Sequence, residues 1–247
     1  MAEEQKKPNL VLYGMAGLLV VAAFGLGSLW TRVRQLEQGQ NQKVLAGQAA
    51  GANQPAAAVP SPKPAGNVPP VTDKDHLRGN KDAEIVMVEY SDFECPFCQR
   101  FQSTMEQVLV EYGDQAAWVY RHYPLNFHAN AQKEAEASEC ANELGGNEVF
   151  WRYTDTIFER TTSNGTGFAL DKLTPLAQEL GLNQIAFQEC LDSGKYAQHV
   201  QDDMAGGQKA GVTGTPGTIL ITKDGKTQLI SGALPFEQIK QAIDANL

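Results

Sequence analysis

Several features that mark common protein classes are missing from this sequence. Its 247 residues include only four cysteines, 23 glycines and 12 prolines, which excludes a disulfide-stapled miniprotein and a collagen-like chain. A hydrophobic content of 42% also excludes a wholly disordered chain. Positive charge is scarce. Once the six bases and three acids of 1–70 are set aside, 14 bases and 26 acids remain, a net charge of −12. The net negative charge of residues 71–247 disfavours binding to nucleic acid, whose phosphates are also negative.

Motifs that bind metals or cofactors are scarce as well. The chain has one C-x-x-C motif, at 95–98, and a structural zinc site would need a second pair or histidines at fixed spacing. Cys140 and Cys190 stand alone, and no ligand spacing relates the four histidines, His76, His122, His128 and His199. We therefore expect neither a metal site nor a cofactor.

A long apolar run without a charge extends from Leu10 to Trp30. As a helix, its 21 residues would span roughly 31 Å, the thickness of one hydrocarbon core. We predict a single transmembrane anchor over 10–30, after a cytoplasmic tail at 1–9. The alternative is a cleavable signal peptide, with Gly25 and Gly27 as the small residues before the cut. Both readings place the rest of the chain across the membrane.

Residues 31–70 are predicted to form a flexible linker. They contain no aromatic residue, and half of the prolines fall between Pro55 and Pro70. Such a composition cannot bury enough apolar surface to offset the entropy lost on ordering. A globular domain is expected from about Val71 to the C-terminus.

The pattern of that domain predicts an α/β sheet with a helical insertion at about 128–210. The apolar run Ile85–Tyr90 indicates a central strand covered on both faces, and a helix follows it up to Gly113. Further strands are predicted at 118–123, 218–221 and 228–230, and further helices at 129–144, 149–160, 171–180, 184–193, 196–209 and 235–245.

Cys95 and Cys98 lie where the first strand meets this helix. The start of a helix offers unpaired N–H groups and the positive end of the dipole, which favour a thiolate. Pro96 is tolerated there because its missing N–H would be unpaired anyway. We predict an exposed, attacked Cys95 and a buried partner Cys98. The alternative, a purely structural bridge, closes too short a loop to stabilise much.

Cys140 and Cys190 each lie inside a predicted amphipathic helix. A disulfide between them would close a loop of about 50 residues, which contributes about 4 kcal/mol on the chain-entropy model. Two unpaired buried thiols are the alternative. In an oxidising compartment we favour a structural disulfide.

Two carboxylates near the C-x-x-C motif need separate interpretations. Glu89 interrupts the apolar strand. If buried, it has a raised pKa and can relay a proton to Cys98, and if the strand bends, it meets water. Glu94 precedes Cys95 and is expected to oppose the thiolate by screened surface repulsion. Farther on, Thr215-Pro216 opens a strand, where proline is allowed.

The segments EYSDFECPFCQRF, YRHYPLNFHANAQKEAEASECANE and GVTGTPGTILI together resemble DsbA-like thiol-disulfide oxidoreductases of the thioredoxin superfamily, which are membrane-anchored or secreted. The resemblance covers nearly all of 71–247 and implies a thioredoxin-like fold with an inserted helical domain. It implies that Cys95 is the nucleophile and Cys98 the resolving cysteine, with a cis Pro216 beside Cys95. Glu89 falls at the family's buried acid, and Cys140 and Cys190 look like the extra disulfide of some members.

These features predict an enzyme that donates the Cys95–Cys98 disulfide to envelope or secreted client proteins. Thr215, Pro96 and Phe97 would contact the client, and Phe97 with Phe127 could form an apolar shelf unless both belong to the core. The resemblance implies reoxidation by a membrane quinone-linked partner. We expect a monomer, tethered to the cell membrane, with an extracytoplasmic domain. The alternatives are a disulfide reductase or isomerase kept reduced by a membrane electron donor, and a non-catalytic peptide-binding module.

One departure from the family pattern concerns Phe97. Strongly oxidising members carry histidine at this position, and a phenyl ring can give neither a hydrogen bond nor a positive charge to the Cys95 thiolate. We therefore expect a weaker oxidant than a C-P-H-C enzyme, with a Cys95 pKa below that of a free thiol but not at the family's extreme.

Overall fold

The computed structural model describes residues 63–164 and 167–247. The predicted cytoplasmic tail, the predicted anchor at 10–30 and most of the predicted linker lie outside these residues. Within the described residues, no helix is both long enough and apolar enough to cross a membrane.

A five-stranded mixed sheet forms the centre of the described domain. The strands are β1 (His76–Gly79), β2 (Ile85–Ser91), β3 (Ala116–His122), β4 (Gly217–Thr222) and β5 (Thr227–Ser231). Their order in the sheet is β1-β3-β2-β4-β5, with β2 parallel to β3 and the other neighbours antiparallel. The central position predicted for the apolar run at 85–90 is confirmed. Because both faces of β2 are covered, its side chains do not alternate between apolar and polar.

Helices pack against this sheet. Within the described residues they are α1 (Pro96–Tyr112), α2 (Ala131–Arg160), α3 (Leu173–Glu179), α4 (Gln184–Ser193), α5 (Ala197–Ala210) and α6 (Phe236–Asp244). In α1, Phe101, Met105 and Val108 recur at helical spacing and are fully buried. The helix ends before Gly113, whose φ of 51° is costly for other residues.

The predicted helical insertion contains α2 to α5. The two helices predicted at 129–144 and 149–160 are joined as α2, with non-helical backbone at Gly146 (φ 76°). Glycine allows this kink, so the predicted break is present without a loop. The helix predicted at 171–180 begins as a 3-10 turn, Leu170–Lys172, and continues as α3.

Alternate residues of the central strands belong to two separate apolar clusters. Met87 and Trp118 lie in the larger cluster with α1 and α2, and Val88 and Val119 lie in the smaller one. This alternation places the sheet between two apolar clusters. Residues that follow the strand ends lie outside the sheet and are available for a functional site.

The end of the predicted linker is part of the folded domain. Lys63 forms a β-bridge with Leu229, and the Gly66 N–H donates to the Ala210 carbonyl at 2.8 Å. Val68 packs against the smaller core cluster. The linker prediction is therefore wrong for 63–70. Composition did not predict that this segment is folded, because the backbone hydrogen bonds that hold it need no apolar side chains.

The sequence does not predict β1. This strand has only four residues, includes Arg78 and Gly79, and lacks an alternating pattern. It forms through antiparallel pairing with β3, a contact that lies about 40 residues away along the chain.

Candidate active site

Cys95 and Cys98 lie at the junction that the sequence indicates. Cys95 is the N-cap residue of α1 and Pro96 is its first helical residue. Both cysteines are free thiols. Cys98 is fully buried as predicted, but Cys95 is only 3% exposed, so the prediction of an exposed Cys95 is wrong. Its neighbour Phe97 is 53% exposed, which leaves the surface of the motif beside Cys95 accessible.

The turn before β4 covers Cys95. β4 pairs with β2 so that Gly217 lies opposite Tyr90, which brings the start of β4 next to the end of β2. The Thr215–Pro216 peptide bond at this start is cis. The Cys95 thiol donates a hydrogen bond to the Thr215 carbonyl at 3.5 Å. Residues 120 positions apart therefore form one site, and this contact is the reason for the low exposure of Cys95.

The surroundings of Cys95 favour its thiolate. The hydrogen bond from the Cys98 thiol lowers the pKa of Cys95 to about 6 against the opposing effect of burial. The Thr215 side chain and the backbone N–H groups of Phe97 and Cys98 lower it further. Although no N–H meets ordinary capping geometry at Cys95 Sγ, these groups are close enough to stabilise negative charge.

The surroundings of Cys98 favour its thiol and not its thiolate. Burial raises its pKa well above 9.0, and the Cys95 thiolate, which accepts its hydrogen bond, and the charge of Glu89 raise it further. One pair of sulfurs thus contains a stable thiolate at Cys95 and a stable thiol at Cys98. This asymmetry is what stepwise thiol-disulfide exchange requires, because the sulfur with the lower pKa leaves faster.

Glu89 lies near the two cysteines and is fully buried. The alternative that its carboxylate meets water is therefore excluded. Burial raises its pKa to about 7, although the Ser91 hydroxyl and a 3.0 Å hydrogen bond from Trp118 Nε1 lower it. The Ser91 hydroxyl also lowers the pKa of Cys98. Ser91 therefore lies near both groups between which a proton would move.

The loop that precedes Cys95 contains buried carboxylates. Glu94 is fully buried and accepts hydrogen bonds from the backbone N–H groups of Asn130 (3.1 Å) and Gly167 (3.2 Å). The prediction of a solvent-screened surface charge is therefore wrong. Glu94 fixes the loop against the helical insertion, a role that needs contacts between segments about 36 and 73 residues apart.

Two further acids near this loop were not found by sequence reasoning. Asp92 accepts from the Leu125 N–H (2.7 Å) and pairs with His128 (2.8 Å), and burial raises its pKa. Burial and the charges of Glu94 and Asp92 raise the pKa of Glu134 to about 9. No motif marks either residue, because their environment is created by tertiary packing.

The remaining cysteines lie within the helical insertion. A disulfide joins Cys140 in α2 to Cys190 in α4. This disulfide links the two helices and closes a loop of 50 residues between them.

The histidines occupy positions that their spacing in sequence does not suggest. His76, His122 and His199 come from β1, β3 and α5, and their side chains all reach Glu139 of α2. The inference that the histidines are unrelated is therefore wrong, because the fold gathers three of them. The fourth, His128, lies outside this group and contacts Asp92.

Comparison with known proteins now adds to this geometry. A family model described as thioredoxin matches residues 71–245. The chain belongs to the thioredoxin family.

Solved structures share the fold. The crystal structure of Pseudomonas aeruginosa DsbA2 is 26% identical, covers 72% of this chain and 97% of its own, and has a TM-score of 0.63. A thioredoxin-like oxidoreductase from Silicibacter pomeroyi is 26% identical, with coverages of 70% and 92% and a TM-score of 0.56. Bacillus subtilis BdbD, at 22% identity, coverages of 74% and 98% and a TM-score of 0.62, supports the fold alone. The DsbA-like resemblance is confirmed.

Curated relatives of a different kind match in sequence. The Na(+)/H(+) antiporter NhaA of Herminiimonas arsenicoxydans is 34% identical over 149 residues, which is 60% of this chain and 22% of the antiporter. The antiporter NhaA 3 of Salinispora tropica matches to a similar extent. The chain thus spans about a fifth of the length of the curated relatives that it matches.

Proposed function

We propose that the protein oxidises client proteins by donating a Cys95–Cys98 disulfide to them. The observation that carries this proposal is the opposite displacement of two neighbouring pKa values, to about 6 for Cys95 and well above 9.0 for Cys98. A disulfide made from such a pair has one sulfur that is stable as a thiolate and one that needs a proton, so its reduction is favoured.

In the first step, a client thiolate attacks Cys95 Sγ. A bond forms between the client sulfur and Cys95, the Cys95–Cys98 bond breaks, and Cys98 leaves with the electron pair. Because Cys98 is stable only as a thiol, it takes a proton, and we assign its supply to the buried Glu89, whose pKa is about 7.

In the second step, another client thiolate attacks the client sulfur of the mixed disulfide. The client gains its disulfide and Cys95 leaves as a thiolate, so two electrons have passed from client to enzyme. The pKa of about 6 makes Cys95 a good leaving group at neutral pH.

An exposed aromatic side chain within the motif supports client binding there. Phe97 is 53% exposed, and the Arg100 guanidinium lies 4.7 Å from its ring centroid. Phe127 is 71% exposed, so neither ring belongs to the core. Pro96, Phe97 and Thr215 are the residues that we assign to contact with an unfolded segment, whose exposed apolar side chains suit such a surface.

The compartment of this activity is inferred from the chemistry. A disulfide between Cys140 and Cys190 suits an oxidising space outside the cytoplasm. We propose that residues 10–30 anchor the chain there as a monomer, and that a membrane quinone-linked protein reoxidises the dithiol. The anchor would keep both proteins in one plane and so raise their effective concentration.

A reductase or isomerase function is favoured by one observation, the phenyl ring at position 97. The reduction potential separates the two directions. A value near −270 mV, like that of thioredoxin, supports a reductase, and a value well above it supports the oxidase.

Trapping of clients tests the proposal. In a Cys98→Ala variant of the full chain in its native host, exchange between Cys95 and Cys98 is lost, and mixed disulfides at Cys95 should accumulate. Cys95→Ala is the matched control and should trap nothing. Equal recovery with both variants, or a lack of oxidation activity in the intact protein, would support a non-catalytic peptide-binding module instead. Activity that survives both replacements would remove the dithiol from the mechanism.

A further inference from the structure

The group of three histidines around Glu139 is a second site of concentrated chemistry. Glu139 Oε1 lies 2.6 Å from His76 Nε2, 2.9 Å from His122 Nε2 and 3.4 Å from His199 Nε2. Thus three of the four histidines in the whole sequence converge on one carboxylate oxygen. None of the steps proposed for Cys95 and Cys98 uses this group.

The chemistry of these atoms matches a divalent ion of the zinc type. Imidazole nitrogen and carboxylate oxygen are ligands that zinc prefers, and three protein ligands with one open position are common. The ligand atoms of His76, Glu139 and His199 all lie within 4.8 Å of one another. A tetrahedral ion with bonds of about 2.0 Å separates its ligands by roughly 3.3 Å. The 3.4 Å separation of His199 and Glu139 is close to this value, and the 2.6 Å contact of His76 must widen.

We propose that His76, His199 and Glu139 bind one zinc-type divalent metal ion, and that His122 positions Glu139 for it. His122 donates from Nε2 to Glu139, which is the usual arrangement for a residue that orients a ligand. His122 Nδ1 is buried and has no hydrogen-bond partner in the described part of the chain. Within the described residues, Glu139 is thus the hydrogen-bond partner of the His122 ring, which also packs against the rings of Tyr120 and Phe150.

A cavity provides the route for the ion. It has a volume of about 240 Å³ and is lined by His76, His199, Asp202 and Asp203 among others. Arg121 and Lys74 also line it, and the carboxylate of Asp75 pairs with Arg121 at 2.7 Å. The side chains of His76 and Glu139 are about 5% exposed, and that of His199 is 39% exposed, so His199 stands at the entrance.

The experiment uses the untagged full chain with Cys95 and Cys98 oxidised to a disulfide, so that thiolates cannot bind the ion. Titration with zinc chloride in a calorimeter should show one site and release of protons. Cobalt chloride should give the visible bands of a tetrahedral complex without thiolate-to-cobalt charge transfer. The entrance variant His199→Ala should weaken zinc binding by at least tenfold.

The matched control is His128→Ala, which removes the one histidine outside the group and should leave zinc affinity unchanged. Because His199 is partly exposed, its variant is expected to fold, and a circular dichroism spectrum checks this. If the full-length protein binds no zinc at 1 mM, the proposal is overturned, and the three histidines form only a hydrogen-bonded cluster around Glu139. Equal loss of affinity in both variants, or no loss in His199→Ala, would overturn it as well.

Discussion

The thiol of Cys95 donates its hydrogen bond to the carbonyl of Thr215, 3.5 Å away across the fold. The Thr215 side chain is also among the groups that lower the pKa of Cys95. A residue far away in sequence thus contributes to the reactivity of the sulfur, and it does so from the turn that also covers it.

Replacement of Thr215 by valine removes the hydroxyl and keeps the shape. We expect the pKa of Cys95 to rise, because one source of thiolate stabilisation is lost. The reduction potential should become more negative, since the reduced form is less stabilised. The measurement is a thiolate absorbance titration of the reduced protein. Exposed Thr213 offers the control Thr213→Val, and an equal rise in both variants would contradict the role of Thr215.

Replacement of Phe97 by histidine places a hydrogen-bond donor beside Cys95. The added stabilisation of the thiolate should raise the reduction potential by on the order of 30 mV, a tenfold change in the equilibrium constant. Equilibration with glutathione buffers measures this change. Phe97→Tyr keeps the exposed ring and its contact with Arg100 and should change the potential little. A potential for Phe97→His that equals that of Phe97→Tyr would show that position 97 does not set oxidising strength.

Glu89 should make stability depend on pH. Its pKa is about 7 in the fold against 4.5 for an ordinary glutamate. The free energy of unfolding is therefore highest below pH 4.5 and falls as the pH rises to 7, because ionisation is disfavoured only in the fold. The Glu89→Gln variant lacks this loss. Its advantage in free energy of unfolding over the original protein should grow by about 3 kcal/mol between pH 4.5 and pH 7, an order-of-magnitude value.

Urea unfolding at several pH values measures that difference. The control is Glu106→Gln, which changes an exposed glutamate of α1 and should give a constant difference across the same range. If the Glu89→Gln difference is equally constant, Glu89 does not titrate in the fold with a raised pKa.

The Cys140–Cys190 disulfide should contribute to stability and not to the chemistry at Cys95. A double replacement by alanine opens a loop of 50 residues and should lower the free energy of unfolding by about 4 kcal/mol. Client oxidation measured well below the unfolding transition should remain. Loss of activity in protein that is still folded would show that this disulfide takes part in electron transfer.

The sequence was a good guide to features that neighbours along the chain determine. The central strand at 85–90 and the helix that starts after Cys95 follow from an apolar run and from helical spacing. The kink at Gly146 follows from a glycine between two helical segments. In each case the signal lies within about 15 residues, and tertiary packing agrees with it.

The errors concern residues whose surroundings are made by distant segments. Glu94 is buried because Asn130 and Gly167 N–H groups reach it, and Cys95 is covered because β4 begins beside it. The histidines meet only when β1, β3 and α5 pack around α2. No local pattern encodes such contacts, so composition and spacing alone misassign these positions.

The proposed mechanism depends on a Cys95 that is ionised at neutral pH, and its thiolate pKa is the most direct test. Reduced full-length protein is titrated by ultraviolet thiolate absorbance between pH 4 and pH 10, with Cys95→Ala as the reference. The difference between the two proteins should show a transition near pH 6. A transition at about 8.5 or above, the value of an ordinary thiol, would contradict the account.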